Sequence, residues 1–534
     1  MTWLFYTLIA ASYLLCAFIS LRHALHMFQL SSYQDPSYRT YLRTHKKAFW
    51  NAKRIVPCVI MLLGCASLPS MPWIFAAGAA LFLLVNRPAK AKKPLVYTPR
   101  VKRLLACAGV LNVLWLWLTD YVFTALLMSG LYTGNGQLAR LGMLWPGIAL
   151  PLGILLQHRL VMLYNDLMAP VEHAVSAHYI KEARDILDSM PGLTVIGITG
   201  SYGKTSTKYF LSRLLSTRYN VYMTPGNYNT TLGVTRAVRE GLRPTHEIFL
   251  CEMGARHVGD IREVCRLARP TMGIITSVGP QHLETFGSQK NVLSTKLELA
   301  DAVAGKGPVF LNYDSEPLQT KKLSQQMISY GINGEDYTMS DLFVDENGSR
   351  FTVTAPDGTR QAFSTRLLGR ANVQNICGAI AVSHYLGISL AALAPAVRQL
   401  ESVPHRLQLI RQAGLTVIDD AYNSNPAGAK NALETLALCR GTRIVITPGL
   451  VELGDRETEY NETLGRQAAE SCHWLITVGD QPRTEAIRRG AREGGLHRDS
   501  IRTADTVQQA MDMARALPGE GKMVLLLNDL TDNY

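Results

Sequence analysis

Thr199-Gly200-Ser201-Tyr202-Gly203-Lys204-Thr205 sets two glycines, a lysine and a hydroxyl in close succession, with Ser206 next. These types at this spacing suit a phosphate chain. A glycine turn aims backbone N–H groups at anionic oxygens, Lys204 adds a cation near the terminal phosphates, and the Thr205 hydroxyl can ligate Mg²⁺. Ile198 stands where the strict phosphate-loop pattern has its first glycine, so Gly203-Lys204-Thr205 alone would be weak. Such a loop works only between a strand and a helix N-terminus. Thr194–Ile198 is a short β-branched run and a helical pattern follows through Leu215, so both elements are there to position it. The segment points to a nucleotide site lined by Gly200, Ser201, Gly203, Lys204, Thr205 and Ser206.

Further chemistry-bearing residues also follow strand-like runs. Glu252 ends the apolar stretch Glu247–Cys251, where a hard carboxylate can meet the Mg²⁺ held by Thr205. His282 follows Met272–Val278. Arg443–Thr447 and Trp474–Val478 read as strands of a further parallel sheet. Asn372, ahead of a run of small residues, serves equally as a helix cap, and Asp419-Asp420 and Asn425-Pro426 serve equally as turns.

In order along the chain these segments resemble the Mur ligase superfamily, which joins an amine to a carboxylate with ATP, and within it the D-alanyl-D-alanine-adding, MurF-like branch. The T-G-S-x-G-K-T loop comes first. Asn227-Tyr228-Asn229-Thr230-Thr231-Leu232-Gly233-Val234 is similar to the branch's N-x-N-N-x-I-G-V, and Glu252-Met253-Gly254-Ala255-Arg256-His257 to its E-x-G-A-N-H. Val278-Gly279-Pro280-Gln281-His282-Leu283-Glu284 resembles V-G-x-A-H-L-E, and Lys296-Leu297-Glu298 stands at its K-G-E. Gly369-Arg370-Ala371-Asn372-Val373-Gln374-Asn375 resembles G-x-H-N-V-x-N, with Ala371 in the histidine's place. Val403-Pro404-His405-Arg406-Leu407 resembles V-P-G-R-L, and Asp419-Asp420-Ala421-Tyr422-Asn423-Ser424-Asn425-Pro426 resembles D-D-x-Y-N-A-N-P.

The resemblance implies ATP and Mg²⁺ as cofactors, with Thr205, Glu252, His282 and an N-carbamoylated Lys296 as metal ligands. It implies Asn227 and Asn229 near the nucleotide, Asn372 and Asn375 at the adenine (Asn375 the better candidate), and Asp420, Tyr422 and Asn423 facing it across a cleft. Arg406 would reach the γ-phosphate, so Lys204, Lys296, His282 and Arg406 form the expected catalytic set. Phosphoryl transfer to a carboxylate gathers anionic oxygens, which is why metals and fixed cations are needed.

Charge and hydropathy set the frame. The 534 residues carry a net charge of +12 and are 47% hydrophobic but only 18% charged, which excludes disorder, collagen and coiled coil. Residues 1–160 hold 16 Lys+Arg against Asp35 and Asp120, leaving −2 for the remainder. Basicity confined to the apolar third argues for membrane topology and against nucleic-acid binding. Apolar runs at 2–20, 55–85, 104–129 and about 139–157 are candidate spans, and the basic loops 21–54 and 86–103 both belong in the cytoplasm by the positive-inside rule. An even number of crossings must lie between those loops, so 55–85, interrupted at Pro69 and Pro72, is expected to be a hairpin. This gives five helices, an N-terminus outside and everything after about 158 inside. Asp120 reads as an interfacial residue or a functional intramembrane charge. The nine cysteines show no C-x-x-C spacing and read as reduced packing residues.

The expected organisation is a multi-pass helical membrane domain (1–160), a linker helix (161–190), an α/β central ATP-binding domain (191–403) and a Rossmann-like α/β domain (404–534). A cytosolic enzyme of this branch has a UDP-sugar-binding domain ahead of its phosphate loop, whereas about 35 residues separate the last candidate span from Thr194. The family's C-terminal K-G-S-R stretch also has no counterpart. The expected function is a membrane-anchored amide ligase activating an envelope-precursor carboxylate, presented on a lipid or polymer and joined to an amino acid or short peptide. Membrane partners in envelope synthesis are possible. The alternatives are the D-alanyl-D-alanine-adding reaction on a UDP-linked tripeptide, a polyglutamate-type elongation, and a scaffold that binds ATP without ligating.

Overall fold

The computed structural model describes all residues except 1, 32, 47–49, 65–70, 88–93, 320–325, 346, 413, 423–424 and 529–534. The chain divides between Val175 and Ser176 into two compact units.

The first unit is helical: α1 Thr2–Leu30, α2 Asp35–Thr44, α3 Ala52–Gly64, α4 Met71–Val85, α5 Pro99–Tyr132 and the start of α6, Gly136–Asp188. Three described helical stretches are long and apolar enough to cross a membrane, Tyr6–Leu30, Pro99–Tyr132 and Gly136–Asp188, with Pro72–Val85 a shorter apolar helix. The run at 55–85 forms two helices, α3 and α4, packed with Gly78 against Met61 and the Pro57 carbonyl; Pro69 lies outside the described residues. Between the helices sits a buried polar network. Tyr13 Oη donates to Asn112 Oδ1 at 2.7 Å, Gln157 Nε2 to the same oxygen at 2.9 Å, and Tyr164 Oη to Gln157 Oε1 at 3.2 Å, so these groups enter an apolar interior with partners. Asp120 is exposed.

One expectation changes here. The last candidate span and the linker helix are a single helix, α6, which continues through Pro146, Pro151 and Pro170. No glycine stands between Gly153 and Gly192 to end it, and the switch from apolar to amphipathic patterning alters what the helix faces without breaking it. The units therefore divide inside α6, and the expected boundary at 403–404 falls within the second unit.

The second unit holds two sheets. The first runs Val221–Met223 (β2), Ile248–Glu252 (β3), Thr194–Thr199 (β1), Met272–Ile275 (β4), Val309–Asn312 (β5), Met327–Gly331 (β6), Tyr337–Asp345 (β7), Gly348–Thr354 (β8) and Arg360–Thr365 (β9). It is parallel from β2 to β7 and antiparallel from β7 to β9. β1 and β3 are buried nearly throughout, as continuous apolar strands of a parallel sheet must be. The second sheet runs Gln408–Gln412 (β10), Leu415–Asp420 (β11), Met523–Leu527 (β15), Arg443–Thr447 (β12), Trp474–Val478 (β13) and Ile501–Ala504 (β14), with only β10 antiparallel. Helix α7, Lys204–Leu215, packs Phe210, Leu211 and Leu214 into the core above β1 with helix α8, Arg370–Tyr385. In both sheets the C-terminal strand ends open toward loops, the usual ligand side of an open α/β sheet. The eight described cysteines are free.

Candidate active site

The phosphate loop joins β1 to α7 with two glycines in conformations that a side chain would spoil. At Gly200 (φ 155°) a Cβ would come within 2.1 Å of Thr276 Oγ1, and at Gly203 (φ 83°) within 2.4 Å of Asn375 Oδ1. The turn is tied down from β4 onward: Ser201 N donates to Ser277 O at 2.8 Å, Tyr202 N to Ser277 Oγ at 3.0 Å, and Ser201 Oγ to Gly279 O at 3.0 Å. Ser206 is buried in the first turn of α7. Lys204 Nζ folds back onto the carbonyls of Gly200 (2.7 Å) and Ser201 (3.3 Å). Burial, assisted by Arg406 and opposed by Glu252, lowers its ammonium to about 8. A phosphate chain alongside would restore the charge, since an adjacent anion favours the protonated form.

Register brings Glu252 to the loop, because Ile198 pairs with Glu252 across β1 and β3. Thr205 Oγ1 donates to Glu252 Oε1 at 3.1 Å, and Asn229 Nδ2 donates to the same oxygen at 3.1 Å. Lys208 Nζ lies 3.0 Å from Glu252 Oε2 and donates to Gly226 O at 2.6 Å. Burial alone would raise the Glu252 carboxyl, but Lys208 and Lys204 hold it below the ordinary range. Thr205 and Glu252 thus offer adjacent hard oxygens beside the phosphate loop, a donor set that fits Mg²⁺ on a phosphate chain.

His282 (φ 49°) sits where Nδ1 contacts the Glu452 carboxylate, and Arg256 Nη2 lies 3.4 Å from the other Glu452 oxygen. A carboxylate on Nδ1 fixes the tautomer and leaves the Nε2 lone pair for a metal. Lys296, on the helix Gln289–Val303, is 1% exposed; its Nζ lies 6.0 Å from the Phe286 ring, and among the described residues the side chain has no hydrogen bond or ion pair. Burial, with Lys204 adding to it, holds the ammonium well below its usual range. Its neutral amine is the form that can take up CO₂. Among the described residues, no three His, Cys, Asp or Glu side chains gather into a metal cluster.

Asn375 meets the loop, accepting from Thr207 Oγ1 at 3.2 Å. Asn372 instead donates to Leu368 O at 2.9 Å; the helix is capped at Gly369 with no side-chain cap bond, so the reading of Asn372 as the cap does not hold either. From the second sheet, Tyr422 Oη accepts from Asn227 Nδ2 at 2.8 Å, and the Arg406 guanidinium stacks 4.6 Å over the Tyr422 ring. Asn423 lies outside the described residues. Asp420 Oδ1 accepts from Leu407 N at 3.2 Å, and burial lifts its carboxyl to about 6 against the pull of Arg406. An unfolded Asp titrates near ~3.9. Between those values the folded chain keeps a proton that the unfolded chain has lost, so stability declines as pH rises through that window. Asp420→Asn is expected to flatten that decline, seen as a smaller Tm difference between pH 4.5 and 7 than in the wild type.

Sequence reasoning missed Lys208, Arg256 and Glu452. A lysine one turn beyond Lys204 on the same helix was a usable signal for the first. Arg256 and Glu452 lie 196 positions apart, and nothing local pairs them.

Comparison with known proteins agrees with this geometry. Residues 198–383 match the Mur ligase middle domain and 405–528 the Mur ligase glutamate ligase domain. The UDP-N-acetylmuramoyl-tripeptide–D-alanyl-D-alanine ligase of Bacillus subtilis is 32% identical over 313 residues, 58% of this chain and 65% of its own length. The enzyme of that name in Mycobacterium tuberculosis is 32% identical over 360 residues, 63% of this chain and 70% of its own. The first of these matches spans a little under two thirds of the relative. The crystal structure of MurF ligase from Thermotoga maritima in complex with ADP superposes with a TM-score of 0.59 at 26% identity, covering 66% of this chain and 80% of that one.

Proposed function

The chain belongs to the Mur ligase family, and on that premise we propose that it is an ATP-dependent, ADP-forming amide ligase of peptidoglycan-precursor synthesis. The observation that carries this reading is the Lys204 loop set against the Thr205–Glu252 pair, with Arg406 and Tyr422 brought to Asn227 from the second sheet. The γ-phosphoryl group of ATP passes to a carboxylate oxygen of the acceptor, leaving ADP and an acyl phosphate. An amine then attacks the acyl carbon, the C–N bond forms, phosphate departs and the amine proton is lost to solvent. Lys204 and Arg406 offset the negative charge that spreads over the transferring group. Asn227 and Tyr422 hold the two sheets' loops together so that the reactants stay in register. Mg²⁺ held by Thr205 and Glu252, and a second ion held by His282 and carbamoylated Lys296, would supply further neutralisation of the phosphate oxygens.

The relatives' names favour the reaction that the sequence analysis placed second, with D-alanyl-D-alanine as the amine and a UDP-linked tripeptide as the acceptor. The helical unit favours a second acceptor, a lipid-linked precursor. What stands ahead of the phosphate loop here is a set of apolar helices, three of them long enough to span a bilayer. In both readings that unit lies in the membrane and the ligase unit in the cytoplasm.

Full-length protein in detergent with ATP, Mg²⁺ and D-alanyl-D-alanine, offered UDP-linked and lipid-linked muropeptides in parallel, distinguishes them by product mass. Addition to the UDP-linked tripeptide alone makes the helices a tether. Addition to the lipid-linked form alone places the reaction at the bilayer. No ADP formation with either acceptor overturns the ligase reading and leaves the ATP-binding scaffold.

A further inference from the structure

In the helical unit, α2, the turn that follows it and the middle of α6 enclose a cavity of about 370 Å³. Its wall has two chemistries. Arg39, Arg43, Lys46 and Arg159 supply cations, and Leu155, Leu156 and Met162 supply hydrocarbon. Arg39 lies 3.6 Å from Asp35. Among the described residues no carboxylate pairs with Arg43, Lys46 or Arg159, and the whole segment 1–160 holds just two acids. His158, which also lines the cavity, is 3% exposed and contacts the buried Arg54, so a further cation backs the wall. Like charges gathered around one hollow repel each other, and a bound anion relieves that repulsion. The volume falls within the ordinary range of small-molecule sites, about 300–1,000 Å³, and exceeds what a lone phosphate needs. The half-buried leucines and methionine beside the cations would suit an acyl or isoprenoid chain, not a free ion.

We propose that this cavity binds the phosphate-bearing headgroup of a lipid, with its anionic oxygens on Arg43, Lys46 and Arg159 and the first carbons of its tail on Leu155, Leu156 and Met162. The further role of mooring a lipid-linked acceptor rests on the second acceptor reading above; the binding itself does not.

The test measures binding of three probes to full-length protein in detergent: farnesyl diphosphate, inorganic pyrophosphate and phosphatidylglycerol. The triple variant Arg43→Gln, Lys46→Gln, Arg159→Gln is compared with the charge-keeping Arg43→Lys, Lys46→Arg, Arg159→Lys. Farnesyl diphosphate is expected to bind at least tenfold more tightly than pyrophosphate. The glutamine variant is expected to lose about 10³-fold, as three charge-assisted contacts of roughly tenfold each would give, and the charge-keeping variant should retain most of the affinity. An unchanged helical circular-dichroism signal and thermal midpoint of the glutamine variant in detergent show that the helical unit is folded. Equal affinity for pyrophosphate and farnesyl diphosphate, or no loss in the glutamine variant, overturns the proposal. Phosphatidylglycerol binding as tightly as farnesyl diphosphate keeps the headgroup site but assigns it to bulk lipid and removes the mooring role. If the site binds as expected while turnover occurs only on the UDP-linked tripeptide, the lipid-linked acceptor reading fails and the site stands.

Discussion

Lys204→Ala is expected to lower kcat for ADP formation by about 10³-fold, the upper range for losing one preorganised charge at a developing anion. Lys204 is the cation built into the phosphate loop, and without a nucleotide its Nζ is held by the loop's own carbonyls at Gly200 and Ser201. Alanine leaves those carbonyls without their donor and the transferring phosphoryl group without its counter-charge. Lys204→Arg should not restore activity, because a planar guanidinium cannot follow the tight path back over Gly200. The lowered ammonium adds a pH signature. With Lys204 at about 8 in the free protein, the ATP-binding form is the protonated one, so kcat/KM for ATP should fall as pH rises above about 8, while kcat at saturating ATP holds to higher pH. ADP release measured across pH 6.5–9.5 gives both numbers. A variant retaining a tenth of wild-type turnover would remove this loop from the phosphoryl-transfer step.

The second large effect separates stability from chemistry at Glu252. Lys208 and Glu252 have side chains 0% and 1% exposed, 3.0 Å apart. Removing one member of such a pair leaves the other as an uncompensated buried charge, a loss of about 3–5 kcal/mol. Glu252→Ala is therefore expected to lower the denaturant midpoint strongly as well as abolish turnover. The double variant Glu252→Gln, Lys208→Met removes both charges while keeping side-chain volume. It should recover most of the stability, since well-packed neutral replacements of buried pairs are often neutral or stabilising. Activity should stay absent, because Thr205 then has no carboxylate beside it. Recovery of activity in the double variant would show that Glu252 serves only to neutralise Lys208. Failure to recover stability would mean that Asn229 and Thr205, which both donate to Glu252 Oε1, depend on its charge.

Part of this site is legible without a structure because its requirements are local. The loop needs glycines where φ is positive, a β-branched strand before it and a helix after it, and all of that lies within Thr194–Leu215. Charge counting leads to the expectation of two helices at 55–85, and the described residues there form two, α3 and α4. The candidate span at 139–157 and the linker helix at 161–190 are one helix, because a change of pattern from apolar to amphipathic is not a helix stop.

Local sequence is enough to give the phosphate loop, the succession of two α/β sheets along the chain and the carboxylate that ends β3, whereas His282 stands in the loop beyond β4. Those features repeat a local rule, a strand that delivers a polar residue to its C-terminal end. Tertiary structure alone decided which partner each of those groups receives. Strand order places β3 beside β1 and so brings Glu252 to Thr205, and the helix that follows aims Lys208 at the same carboxylate. Glu452 reaches His282 from 170 positions away, and Tyr422 meets Asn227 from 195 away. Whether Asn372 turns toward its own helix or toward a ligand depends on whether Leu368 O lies within reach. Pairings at such separations depend on sheet topology and the packing of side chains over it, which no short window of sequence encodes.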